Sequence, residues 1–364
     1  MKHIHRLLLI AFFFTCLTPA FASVNDQHEP ETETHQVSHE KKKFEPGNFI
    51  MDHIADAYDW HVFTYGDFHF TAPLPVIVYS SNSGLHIFMS SEFHHGHSAY
   101  KGFELAKDGE YRGKVVEMID EQQVRPFDVS ITKNVTAMLI SMLFLLWIFV
   151  SVAKTYNKRK GQEPKGLQAY LEPIIVFVID EIAKPAIGEK KYKKFVPFLL
   201  TIFFFIWLNN LMGLVPFIPG GANVTGNITI TMVLALFTFA ITSINGNKNY
   251  WKHIVNTPGV PWWLKFPIPL MPLVEIMGVF TKPFVLMVRL FANITAGHMI
   301  VLAFVSLIFI FGEMSPALGM GTSVVSLLFI VFMNVLELLV ALIQAYVFTL
   351  LSALYFGMAI EEEH

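Results

Sequence analysis

K-P-F-V-L-M-V-R-L-F-A-N-I-T-A-G-H-M-I, residues Lys282 to Ile300, sits inside an apolar run that extends from about Met271 to Phe311. A helix over that run is roughly 60 Å long at 1.5 Å per residue, about twice a bilayer's hydrocarbon thickness, so it must tilt or kink. Arg289 lies far from both ends. Holding a guanidinium at that depth costs roughly 2.5 to 3.5 kcal/mol on insertion scales, so something must compensate the charge. At 100° per residue, Glu275, Gly278, Lys282, Arg289, Asn293 and Ala296 share one face, whereas His298 points nearly the opposite way. Two different neighbours are implied.

Of the 364 residues, 53% are hydrophobic, only 15% are charged and 35 are Phe. That composition is a multi-span membrane protein's rather than a soluble domain's. The formal net charge of −3 carries no message about nucleic acid, and no Lys/Arg cluster interleaved with aromatics suggests a phosphate-backbone groove. The single Cys16 permits no internal disulfide.

Met1 to Arg6 is basic, Leu7 to Leu17 is apolar but too short to span comfortably, and Ala20-Phe21-Ala22 forms a small-x-small site before Ser23. This predicts a cleaved secretory signal peptide over residues 1–22, with an uncleaved anchor as the other reading. Residues 23–133 are then extracytoplasmic. They comprise a polar linker to about Pro46, a short helix within Asn48 to Trp60, and two strands between Phe68 and Phe93 that turn at Ser80-Ser81-Asn82-Ser83-Gly84. Twelve of the 15 His occur by position 97. No Cys or close carboxylate pair completes a site around His94-His95-Gly96-His97, so no metal and no cofactor is assigned.

Residues 134–364 form the membrane domain, with spans expected at about 135–153, 195–217, 223–244, 271–311 and 322–360. Lys154, Lys158, Arg159 and Lys160 after the first span place its end in the cytoplasm, as does the basic stretch Lys190 to Lys194. Leu167 to Ile182 reads as an amphipathic helix at the cytoplasmic surface. Asn209 and Asn210 fall near the outer end of the second span. Pro258 to Pro272 is an interfacial connector, and Phe311 to Gly321 a Gly/Pro-containing turn between two long helices. The fold class is thus an all-α polytopic membrane protein of about five spans with a long tilted hairpin, plus a small N-terminal segment with a β-hairpin.

On the last helix Asn334, Glu337, Ala341, Gln344 and Tyr355 share one face. A glutamate within a lipid-length segment faces a cavity or a partner. Arg289 cannot release a proton and is a fixed positive charge, whereas His298 and Glu337 are able to titrate. Glu275 stands roughly 21 Å along a straight helix from Arg289, which separates it from the His298 region and gives two polar pathways.

Together these residues resemble the a subunit of the membrane sector of F-type ATP synthases, in which an arginine in R-L-F-x-N precedes a small residue, a glycine and an ionisable residue. Here that reads Arg289-Leu290-Phe291-Ala292-Asn293, then Ala296-Gly297-His298, with Glu337 and Gln344 at the last helix's motif positions. The resemblance spans roughly Lys133 to Glu363, and His298 with Glu337 is the exchanged order of ionisable residues also seen in mitochondrial members.

The resemblance implies a non-catalytic stator subunit of the bacterial inner membrane with a cytoplasmic C-terminus. Its partners would be the c-subunit ring, b-type peripheral stalk subunits, the remaining ATP synthase subunits and membrane lipid. An outer half-channel would use His298, Glu337 and Asn209, and an inner one Glu275. Gln344 and Asn293 would orient Arg289 or water, while Arg289 faces the acidic side chains of the ring. One charge crossing 100 mV yields about 2.3 kcal/mol, so several protons must be combined to make ATP. A proton- or sodium-coupled secondary transporter is the alternative, although no internal repeat supports it. A polytopic hydrolase lacks its motifs.

Overall fold

The computed structural model describes residues 44–65, 68–96, 98–107, 109–119, 122–159, 161–215, 221–255 and 270–361. The expected signal peptide, most of the polar linker and most of the connector expected over Pro258 to Pro272 lie outside the described residues, and the last three residues of that connector open a helix instead. Among those residues, five helices are long and apolar enough to cross a membrane. The chain packs as two compact units, residues 1–139, 212–223 and 298–335 in the first and 140–211, 224–297 and 336–364 in the second.

In the first unit, α1 (Pro46–Ile54) begins at a proline, whose fixed φ and missing N–H suit a helix's first turn. It ends before Trp60, earlier than the sequence led us to expect, because β1 (Asp59–Tyr65) pairs antiparallel with β2 (Phe68–Pro73). The apolar run from Phe68 to Tyr79 is accordingly two strands. Pro73 and Pro75 remove two ladder donors, and Leu74 between them exchanges hydrogen bonds with Ser90 instead.

β3 (Pro75–Ser80) and β4 (Gly84–Met89) form the expected hairpin, with Ser80 opposite Gly84. Ser80 Oγ accepts the N–H groups of Asn82 and Ser83 at 3.1 and 3.3 Å, and Gly84 takes the positive φ of 82° that closing the turn requires. Strand alternation sends Val76, Val78 and Phe88 inward, where they meet Tyr58, Phe93, Phe103 and Val115. The remaining strands are β5 (Phe103–Leu105), β6 (Val115–Ile119), β7 (Gln122–Val124) and β8 (Phe127–Asp128); the first three form their own antiparallel sheet and β8 pairs with β3.

The domain is tied directly to the first spanning helix, α2 (Lys133–Lys158). The Lys133 N–H donates to Ala57 O at 2.8 Å, and the Asn134 N–H to the Asp56 carboxylate at 3.0 Å. A carboxylate at a helix N-terminus satisfies a donor with no intrahelical partner and opposes the macrodipole. Burial, and then the hydrogen bond to Asp128, push the Tyr58 hydroxyl above its ordinary pKa.

In the second unit the segment read from sequence as an amphipathic helix is α3 (Leu167–Phe177), a π turn (Val178–Ala183) and α4 (Lys184–Ile187). The remaining spans are α5 (Val196–Gly213) and α6 (Ile228–Asn245), followed by the short α7 (Lys248–Val255). The side-chain oxygen of Asn227 caps α6 by accepting the Thr229 N–H, so that span begins later than residue 223.

The hairpin helices are α8 (Leu270–Met314) and α9 (Pro316–Ile360), 45 residues each. The turn expected over Phe311 to Gly321 shrinks to Ser315. Pro316 is harmless at a helix start, and the glycines serve close approach instead: a Cβ on Gly319 would stand 2.8 Å from Gly312 Cα. A Cβ on Gly357 would likewise collide with the carbonyl of Ala186. At the far end of α9, Asn247 donates to Ala359 O and Ile360 O, and Lys191 donates to Ile360 O, so carbonyls without intrahelical partners are satisfied.

An alanine in a helix interior normally gains up to about 1 kcal/mol over glycine. At Gly319 the obstructing atom is backbone, so overpacking of about 1–3 kcal/mol wins. Gly319→Val is expected to lower the midpoint of thermal unfolding of the purified protein, whereas Gly278→Ala, with nothing near its Cβ, leaves it unchanged or raises it.

Candidate functional site

The candidate side chains are carried by α5, α8 and α9. On α8, Leu286, Leu290 and Ile294 are buried to 3% exposure or less. The neighbouring positions Arg289, Asn293 and Ala296 are all exposed. The second half of the stripe read from the sequence is therefore an open helix face bearing a permanent cation, whereas its first half, Glu275, Gly278 and Lys282, is half-buried.

α9 presents the opposite arrangement. Glu337, Ala341 and Gln344 are buried at 5%, 1% and 6% exposure, in line with Phe348 and Ser352. The Glu337 carboxyl lies against Gly297: a Cβ there would stand 3.0 Å from both Cδ and Oε1. Glycine in the A-G-H motif is what lets α8 pass this close to a carboxyl on α9.

Asn210 supplies the next contact. Its amide nitrogen donates to Ala341 O at 3.2 Å, one turn beyond Glu337, and its oxygen accepts the Thr225 hydroxyl at 2.5 Å. Asn209, the residue favoured from sequence, donates to Phe205 O at 2.8 Å on its own helix. Its Oδ1 is buried with no hydrogen-bond partner among the described residues, a position suited to water. Both asparagines are thus buried in the second unit, but only Asn210 bonds to α9. Consecutive helix positions lie 100° apart, and sequence alone does not say which of the two directions faces α9.

Glu275 and Lys282 are half-buried, two heptads and one heptad before Arg289 respectively. Lys282 Nζ stands 5.5 Å from the Tyr355 ring centroid, within cation–π range. Both residues border a cavity of about 10 Å³ that Thr238, Thr242 and Tyr250 also line, room for about one water. Tyr250, on α7, has its hydroxyl pKa raised by burial first and by the charge of Glu275 second, which places Glu275 beside this polar cluster.

His298 belongs to the first unit. A Cβ on Gly213 would lie 3.5 Å from its Nε2 and 3.6 Å from Ala222 O, ordinary contact distances, so Gly213 packs beside the imidazole. Gly213, Asn210 and Thr225 were not among the sequence candidates. Asn210 was read beside Asn209 near the outer end of the second span, but its partner Ala341 is 131 residues away. Among the described residues, no group of three His, Cys, Asp or Glu is placed to hold a metal ion.

Residues 135–357 match the family described as ATP synthase A chain, and residues 49–135 match a domain of unknown function, DUF8433. ATP synthase subunit a of Chloroherpeton thalassium is 43% identical over 248 residues, which cover 66% of this chain and 70% of that one. ATP synthase subunit a 2 of Chlorobaculum tepidum is 43% identical over 65% of each chain, and subunit a of Myxococcus xanthus 42% identical over 65% of this chain and 75% of its own. The chain belongs to the ATP synthase subunit a family. It is a multi-pass membrane protein and a non-catalytic, proton-translocating subunit of the stator of that complex.

Gly297→Ala forces the Glu337 carboxyl to move, since its neighbour is a side-chain end rather than backbone. With the complex still assembled, ATP-driven proton uptake into inverted vesicles is expected to fall on the order of 10-fold, less than the roughly 100-fold that a full ångström's misplacement can cost, because a contact of 3.0 Å asks the carboxyl to move by less than that. Asn210→Leu removes two hydrogen bonds at once and is expected to lower stability by about 1–3 kcal/mol, read as a drop in unfolding midpoint.

Proposed function

We propose that Arg289 meets the acidic side chain of a passing ring of c subunits and separates two proton half-channels. The observation that carries this reading is the exposure of a guanidinium on a helix otherwise suited to hydrocarbon. Such a charge is tolerated only against an opposite charge or water, and the apolar residues beside it suit a membrane-embedded partner.

Glu337, with Gly297 and Asn210 around it, and His298, beside Gly213, serve the outer half-channel together with Asn209. Glu275, Lys282 and the water-sized cavity at Tyr250 and Tyr355 serve the inner one. Gln344 and Asn293 orient Arg289 or its water. Arginine holds its proton throughout, so it favours the ionised form of each arriving carboxylate and blocks a direct leak. The hops themselves belong to His298, Glu337 and Glu275.

The boundaries drawn from sequence fit this scheme: a signal peptide over residues 1–22, an extracytoplasmic stretch over 23–133 and a membrane domain over 134–364. The lysines after α2 and before α5 put those ends in the cytoplasm by the positive-inside rule. With the bundle so oriented, b-type stalk subunits hold it against the ring's rotation.

Arg289→Ala tests the scheme. Inverted vesicles carrying the variant should show no ATP-driven acidification above an uncoupled control, with the complex assembled. Pumping at the wild-type level would remove Arg289 from the ring contact and bring a self-contained transporter forward.

A further inference from the structure

Glu275 and Lys282 are oppositely charged and stand seven residues apart on α8. Seven residues of helix rise roughly 10 Å and turn almost two full circles, so both side chains leave the same face. A glutamate and the four-carbon stem of a lysine are together long enough to close that gap. The charge of Glu275 is near enough to act on Lys282. Yet among the described residues neither side chain forms a salt bridge.

The ammonium group is held on α9 instead. Lys282 Nζ lies over the Tyr355 ring, 5.5 Å from its centroid, where the negative face of the ring quadrupole attracts a cation. The height of that ring is fixed from α6: the Thr238 and Ser352 hydroxyls are hydrogen-bonded at 3.3 Å, about one turn before Tyr355. Ser352, Ala353 and Phe356 are all fully buried, which leaves the half-buried Tyr355 on the side of α9 that borders the small cavity.

The remaining groups around this cluster offer Lys282 no other anion. Thr238 and Thr242 of α6 line the cavity with hydroxyls, and Tyr250 of α7, which also lines it, stands beside Glu275. Arg289 is the other charge that reaches Tyr355, and it is a second cation. The choice for the ammonium is therefore between the Tyr355 face and the Glu275 carboxylate. An opposite charge within about 4–6 Å favours the ionised form of a carboxyl. A carboxyl that relays protons must also take one up.

We propose that Tyr355 is a positioning residue of the inner half-channel, its ring keeping the Lys282 ammonium off Glu275 so that Glu275 alternates between neutral and ionised forms. The inference rests on the assignment of Glu275 to that half-channel and adds to it the device that prevents a locked ion pair.

The test is the initial rate of ATP-driven proton uptake into inverted vesicles, with the amount of assembled complex measured on each preparation. Tyr355→Leu removes the π face and should lower the rate on the order of 10-fold. Tyr355→Met takes its place if the leucine variant does not assemble. Tyr355→Phe keeps the face and should lose less than about twofold. Lys282→Gln sets the reference for an absent ammonium, and adding Tyr355→Leu to it should cost nothing further, because no cation is left to reach Glu275. A merely structural tyrosine would lower the rate by the same factor with and without Lys282. That result, or equal losses from Tyr355→Phe and Tyr355→Leu, overturns the proposal. Wild-type pumping by Glu275→Gln is read separately and would overturn the half-channel assignment beneath it.

Discussion

A guanidinium that cannot be neutralised by losing its proton sets the terms for the rest of this protein. Its hydration must be replaced wherever the helix carries it. Burial against its own chain would demand a paired carboxylate in fixed geometry, and breaking such a pair is costly. α8 instead turns Leu286, Leu290 and Ile294 inward and leaves Arg289 on the open side. The ionisable residues proposed for the half-channels, Glu275, His298 and Glu337, stand elsewhere along α8 and α9.

Glycines set two of the closest contacts. At Gly297 the missing methyl admits the end of a carboxyl, and at Gly319 it admits another backbone. Each absence has a different consequence. The first governs where a titratable group rests, while the second governs only how tightly two helices pack. The same residue type therefore bears on function or on stability according to which atom lies opposite.

Sequence periodicity disclosed the open face of α8 and the face of α9 that bears Glu337 and Gln344, because both are set by a single helix's geometry. The pairing of Asp59–Tyr65 with Phe68–Pro73 stayed hidden, since a short apolar stretch after Ile54 reads equally as helix or strand until its partner is known. The hairpin turn was misjudged because glycine and proline are ambiguous punctuation. At Gly312 and Gly319 the helix continues through them, and Pro316 opens the next one. Asn210 over Asn209 was a question of azimuth, which only the position of α9 answers.

The far end of α9 bears on mechanics. Three hydrogen bonds from Asn247 and Lys191 hold its last carbonyls, and the carbonyl of Ala186 fits against Gly357 where no side chain intervenes. Every torque applied to a rotor returns as an equal reaction on its housing. A helix of 45 residues pinned at its tip resists that reaction as a braced beam does, with little sideways give. The polar clasp on Ile360 is thus an element of stiffness, and loosening it would waste applied work in bending before any charge had moved.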